Sequence, residues 1–239
     1  MGTSTVDDDV LSVPYAEHLG RQHEIVVRTL RCGIQLTMRG ALRACHRLAV
    51  TGRENLPVSQ SFIMVCNHSS HLDAVCLLAS LPLRRVHHAF PVAAADYFFS
   101  TPVRSVLSRI AVNGLPLDRH GGAGCLEGCR ERLANPETVL IIFPEGTRSS
   151  SGELGRFRSG VARLVAGTRT PVVPCHLSGA FEAWPKGRAL PRPFPLRLRI
   201  GEPRTFPDVS VLDRQAVADV SAKLRDEVAA LGQYNLILQ

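Results

Sequence analysis

Long apolar runs are missing from this chain. No stretch approaches the ~18 consecutive apolar residues of a spanning helix, so a membrane, if the protein meets one, is met from its surface. Cysteines come without a pattern: the seven, at positions 32, 45, 66, 76, 125, 129 and 175, form neither a Cys-x-x-Cys pair nor a disulfide framework. That excludes a stapled secreted scaffold and fits a reducing cytosolic setting. The N-terminus lacks the positive charge of a secretory leader and carries Asp7, Asp8 and Asp9 instead. Aromatic residues are scarce at 5%. Zinc-finger spacing, an RNP-type aromatic strand and a basic helix with base-reading Asn or Gln are absent, so nucleic acid is not an expected partner.

What is present describes a folded body. With 239 residues, 45% hydrophobic and 21% charged, the composition is that of one globular domain. The net charge of +7 points to an anionic partner, either anionic lipid or a phosphorylated small substrate. Residues 1–20 are polar and aperiodic and read as a flexible arm. Over 21–50 the pattern becomes helical: Val27, Leu30, Ile34, Met38, Ala41, Cys45 and Leu48 gather on one side, and Arg28, Arg31, Arg39, Arg43 and Arg47 on the other, with Leu36 the exception and a break expected near Gly40. Such a basic amphipathic helix packs on a core, binds a calmodulin-like partner or lies on anionic lipid.

From residue 51 to 239 short apolar runs alternate with helical stretches. Strands are expected at Phe62–Cys66, Ala89–Ala94, Thr138–Phe143 and Val172–His176, and helices near 73–81, 97–111, 122–134, 158–168 and 213–230. The pattern predicts an α/β fold: a single domain with a mostly parallel sheet covered by helices, preceded by the basic amphipathic helix. Pro185–Pro195 reads as a basic surface loop, and Leu196–Ile200 as an edge strand.

Two constellations carry chemistry, each directly after a strand, where the sites of such sheets gather. In Asn67-His68-Ser69-Ser70-His71-Leu72-Asp73 a turn followed by a helix can bring Asp73 back to His68, pairing a base with the carboxylate that orients it. The same residues also fit a capping box (Ser70 with Asp73), a partial metal set (His68, His71, Asp73) or a serine nucleophile without the usual elbow. In Phe143-Pro144-Glu145-Gly146-Thr147-Arg148-Ser149 a glycine permits a sharp turn and Arg148 can grip a phosphate in bidentate fashion. It is no Walker loop, because Gly-Lys-Ser/Thr is missing.

In this order the two blocks resemble those of the glycerolipid (lysophospholipid) acyltransferase family, and of its bacterial 1-acylglycerol-3-phosphate acyltransferases in particular. Gly114-Leu115-Pro116-Leu117-Asp118-Arg119 and Pro171-Val172-Val173-Pro174 look like two further blocks, and Phe157-Arg158-Ser159-Gly160 like the aromatic-basic-x-glycine element, with Arg where Lys is common. The likeness covers residues 47–203 and makes 51–239 an acyltransferase domain behind a membrane-interface helix at 21–50. It implies transfer of an acyl group from acyl-CoA or acyl-carrier protein to the free hydroxyl of a lysophospholipid, foremost lysophosphatidic acid. Under that resemblance His68 is the base and Asp73 its orienter. Arg119 and Arg148 bind the acceptor phosphate, while Glu145, Gly146 and Thr147 shape that pocket. No metal and no cofactor are implied, and the protein is expected as a peripheral protein on the cytoplasmic face of an anionic membrane. Asp96-Tyr97-Phe98-Phe99 and Phe181–Gly187 resemble relatives fused to acyl-activating domains, so lysophosphatidylethanolamine or a lyso-ornithine lipid is an alternative acceptor. A non-catalytic lipid-binding protein of the same fold is the rival from another class.

Overall fold

A computed structural model describes residues 12–94, 115–117 and 122–233 of the protein. Helix α1 (Ser12–His46) is followed by β1 (Ala49–Thr51), a 3-10 turn at Arg53–Asn55 and β2 (Phe62–Cys66). Next come α2 (Asp73–Ser80), α3 (Leu83–Val86), β3 (Ala89–Ala94), β4 (Leu115–Leu117), α4 (Gly122–Ala134) and β5 (Val139–Ile142). The chain continues through α5 (Gly160–Val165), β6 (Thr168–Ser178), α6 (Ala180–Ala183), β7 (Arg197–Ile200), β8 (Arg204–Phe206) and α7 (Arg214–Gln233). The helix expected at 97–111 lies outside the described residues.

The described strands form one eight-stranded sheet in the order β1-β7-β6-β2-β5-β3-β4, with β8 also paired to β6. β2 sits at its centre, parallel to β5 on one side and to β6 on the other. All five of its residues are buried, as a strand covered on both faces requires. Alternation sends Phe62, Met64 and Cys66 to one face, where Leu42 of α1 and Cys76, Leu77 and Leu78 of α2 cover them. Ile63 and Val65 go to the other face, against Val161, Leu164 and Val165 of α5 and Val217, Val220 and Leu224 of α7. The mostly parallel, doubly covered sheet therefore matches the expectation.

Three local expectations are corrected. First, β7 is not an edge strand: it pairs antiparallel with β6 and parallel with β1, whose three residues carry too little pattern to stand out. Secondly, α1 starts at Ser12, inside the stretch read as an arm, and runs to His46 without a break at Gly40. A glycine in a helix costs only ~1 kcal/mol, which the neighbouring turns absorb.

Thirdly, the apolar stripe of α1 is not its packed face. Among residues 26–46 the buried positions are Gln35, Leu42 and His46, whereas Leu30 and Met38 of the stripe remain 49% and 39% exposed, as do Val26 and Leu36 at 64% and 54%. At ~100° per residue the stripe is turned roughly a quarter turn away from the packed side. Of the arginines expected on the polar face, Arg39 turns inward and donates from Nη2 to Leu81 O of the α2 C-terminus at 2.5 Å.

Candidate active site

β2 delivers the first constellation. Asn67, buried just past the strand, donates from Nδ2 to Leu177 O at 3.0 Å and accepts from Leu177 N at 2.9 Å. Its side chain thus imitates one more strand residue on β6 and fixes the direction in which the chain leaves the sheet. The turn that follows closes on Asp73, the first residue of α2, whose side chain is 0% exposed. Oδ2 of Asp73 accepts from His68 Nδ1 at 2.8 Å, Ser69 N at 2.7 Å and Ser70 N at 2.8 Å. Three donors converge on one oxygen at the helix N-terminus and hold the carboxylate in place. With Asp73 as the acceptor, the imidazole proton sits on Nδ1, leaving Nε2 as a bare base.

The capping-box expectation is corrected in one half. Ser70 N does reach Asp73, but Ser70 Oγ does not cap the helix: it donates to Trp184 O at 2.8 Å and accepts from Leu72 N at 3.1 Å. The N-cap position belongs to Leu72. Ser70 is thereby buried and tied to a loop between β6 and β7, so its oxygen is no exposed nucleophile. His71 does not join His68 either. Its ring lies against Trp184 with centroids 4.9 Å apart, and Arg148 Nη1 stands 2.6 Å from its Nε2 and 3.0 Å from its Nδ1. Burial, and next the positive charge of Arg148, lower its pKa. Among the described residues no group of three or more His, Cys, Asp or Glu is placed to hold a metal ion.

The second constellation follows β5 and lies directly beside the first. Phe143 stacks on the His68 ring, with centroids 4.1 Å apart and planes 16° from parallel. Phe143 O accepts from Gly146 N at 3.0 Å, closing a turn in which Gly146 takes φ 74°. A β-carbon at Gly146 would stand 2.7 Å from Arg158 Nε, at the flexible end of that side chain, so it is the backbone conformation that calls for glycine. Ser149 N donates to His68 O at 2.7 Å, which pins the two constellations to each other through the backbone. Arg148 is half-buried, Thr147 exposed, and Arg119 lies outside the described residues.

Glu145 behaves differently from a pocket-lining residue. It is 8% exposed, and its oxygens are both engaged: Oε1 accepts from His68 N at 2.8 Å and Oε2 from Gly155 N at 2.9 Å. Burial pushes its carboxyl above the usual value, while the two amides pull the other way. Glu145 is a buckle that holds the main chain of His68. Sequence reasoning placed it at the site but not in this role. It missed Phe143 and Trp184 as contacts of the two histidines, although both stand inside runs singled out in the sequence, Phe143–Ser149 and Phe181–Gly187.

The chain is similar to known proteins over this region. A family model described as Acyltransferase matches residues 47–178. A 1-acyl-sn-glycerol-3-phosphate acyltransferase of Cocos nucifera is 31% identical over 144 residues, covering 59% of this chain and 45% of the relative. The chloroplastic 1-acyl-sn-glycerol-3-phosphate acyltransferase LPAT1 of Arabidopsis thaliana is 33% identical over 145 residues, covering 59% and 39%. The chain thus spans less than half the length of these two relatives. The crystal structure of the 1-acyl-sn-glycerophosphate (LPA) acyltransferase PlsC from Thermotoga maritima superposes with a TM-score of 0.65 at 26% identity, covering 90% of this chain and 87% of that one.

Proposed function

The chain belongs to the Acyltransferase family, and from that premise we propose that it moves a fatty acyl group from acyl-CoA or acyl-carrier protein to the free hydroxyl of lysophosphatidic acid, giving phosphatidic acid. The observation that carries this reading is the His68 Nδ1 to Asp73 Oδ2 bond of 2.8 Å, formed with a fully buried carboxylate. A lipid-binding module has no use for a buried carboxylate spent on holding an imidazole. Nε2 takes the proton of the acceptor hydroxyl as its oxygen attacks the thioester carbonyl, and Asp73 steadies the imidazolium. The tetrahedral intermediate then expels the thiolate, which takes the proton back from His68. No metal or cofactor enters this route.

The oxyanion needs donors. Gly146 N is spent on Phe143 O, so the amide of Thr147, which has no backbone acceptor among the described residues, is the donor of choice. Arg148, with Arg119 as its partner, binds the acceptor phosphate. Arg148 stands two residues past Gly146 and against His71, within the same cluster as the base.

The acceptor and its product both live in a bilayer. No helix among the described residues is long and apolar enough to cross one. We assign the membrane contact to α1, whose exposed Leu30 and Met38 would enter the acyl boundary while Arg43, and Arg47 just past the helix, meet anionic headgroups on the cytoplasmic face.

Labelled acyl-CoA and labelled acyl-carrier protein, each offered with a panel of lysophospholipids, test the reaction. Diacyl product is expected with lysophosphatidic acid and not from His68→Ala. A folded protein that acylates no lysophospholipid with either donor refutes the proposal. Product confined to lysophosphatidylethanolamine or a lyso-ornithine lipid refutes the acceptor assignment alone.

A further inference from the structure

At the opposite end of β2 from His68 lies a cavity of ≈ 240 Å³, lined by Phe62 at the start of that strand and by Ser80 at the end of α2. At about 3.3 Å per residue, the strand alone places it roughly 15–20 Å from His68. Helix α2 points the same way, with Asp73 at its first residue and Ser80 at its last, about 10 Å apart along the axis. The cavity is therefore no part of the acyl-transfer site.

Three arginines from three separate elements line it: Arg39 of α1, Arg53 of the 3-10 turn and Arg84 of α3. Among the described residues none of the three has an ion pair; the pairs formed lie elsewhere. Nη2 of Arg39 is used by Leu81 O, but its Nε is buried and has no hydrogen-bond acceptor among the described residues. Burial, and then the positive charges of Arg53 and Arg43, lower its pKa. The guanidinium stays charged all the same, so the cations repel one another with no counter-charge between them. A fourth arginine in the wall, Arg85, is already committed to Glu137 O, Pro57 O and Gln60 O. Val58, 70% exposed, adds an apolar lining beside the charges.

We propose that this cavity is a second phosphate-binding site, distinct from the acyl-transfer site, for a phosphate attached to a larger body such as a phospholipid or a nucleotide. A carboxylate has two oxygens and satisfies one guanidinium fork. A phosphate offers more oxygens and answers several forks at once. Arg53 and Arg84 are exposed and supply the charge, while Arg39 also ends α2 and is tied to the fold. Val58 provides the contact for whatever carries the phosphate.

The test is isothermal titration of the full chain carrying Arg148→Ala, which silences the proposed acceptor site. The probes are pyrophosphate, 3′,5′-ADP and dihexanoylphosphatidic acid below its micelle concentration. Saturable one-to-one binding of at least one probe is expected, weakened about tenfold or more by Arg53→Gln and by Arg84→Gln, with thermal melts unchanged. Tightest binding of the lipid assigns a headgroup; tightest binding of 3′,5′-ADP assigns a nucleotide. If Arg148→Ala melts early, wild type should show two phosphate sites per chain, one of them lost in the Arg53→Gln/Arg84→Gln variant. The proposal is overturned if no probe binds saturably at millimolar concentration, or if the glutamines leave binding intact. It is equally overturned if they lower acyl transfer to a detergent-dispersed acceptor, since the arginines would then serve the reaction itself.

Discussion

Replacing Glu145 by Gln separates a residue that holds the base from one that touches the acceptor. The carboxylate accepts from His68 N at 2.8 Å and from Gly155 N at 2.9 Å. Gln keeps one acceptor oxygen and turns an NH2 group toward the other N–H, leaving a buried donor unsatisfied at a cost of about 1–3 kcal/mol. Relief of the buried charge offsets part of this, since burial already disfavours the ionised form. For a chain of this size a net loss of ~1–3 kcal/mol lowers Tm by roughly 2–10 °C. The main chain of His68 loses its anchor, and a shift of the base by a fraction of an ångström should cost about ten- to a hundredfold in kcat, with acceptor KM nearly unchanged. Gly155→Ala provides the second arm of a double-mutant cycle, because its β-carbon would stand 2.9 Å from Oε2. The two changes should be non-additive by about 0.5–3 kcal/mol in urea unfolding. An acceptor KM raised tenfold with Tm and kcat intact would show that Glu145 meets the acceptor and would refute the buckle.

Five more outcomes are expected. His68→Ala should lower kcat by ~10²–10⁴-fold with a near-native melt, and a variant keeping more than about a tenth of wild-type kcat would remove His68 as the base. Asp73→Asn should be nearly as inactive: its amide oxygen can still accept from Ser69 N and Ser70 N, yet the imidazolium loses its counter-charge. Arg148→Ala should raise acceptor KM about ten- to a hundredfold and donor KM less, whereas an equal penalty on a phosphate-free acceptor would make the residue structural. His176, beside Arg199 and under Gly232, is pushed by burial and then by Arg199 to a pKa of about 4. A depressed histidine adds stability above its unfolded pKa of ~6.5 that is lost as pH falls toward 4, so unfolding free energy should drop by about 2 kcal/mol from pH 7 to pH 5, and His176→Gln should flatten that slope. On α1, Leu30→Gln and Met38→Gln combined with Arg43→Glu should release the protein from anionic vesicles in flotation while activity on dispersed short-chain acceptor persists; unchanged flotation moves the membrane contact to another surface.

Whatever depends on neighbours along the chain was legible from the residues alone. Phe62–Cys66 is a run of buried strand formers, and its central place in a doubly covered sheet follows from having no polar face. His68 and Asp73 meet because one turn and the start of a helix separate them, and a local segment has few ways to fold. The turn at Gly146 was legible for the same reason. The tertiary structure decided what depends on distant partners. The apolar stripe of α1 was plain in the sequence, but which side of the helix packs was not, because the packed side is chosen by distant surfaces, the segment at Phe194 for His46 among them, and takes Gln35 and His46 with Leu42. Leu196–Ile200 looked like an edge strand until β1 covered it, and three residues at 49–51 hold no periodicity to announce that. Glu145 turned from the acceptor to the backbone of His68 and Gly155, a choice set by two amides whose positions exist only once β2 and β5 lie side by side. Local pattern fixes which residues enter an element, since their energies are settled within a few turns or strand residues. Contacts across the sheet fix what each side chain faces, since only the assembled fold sets the burial, the partners and the charge that decide between one rotamer and another.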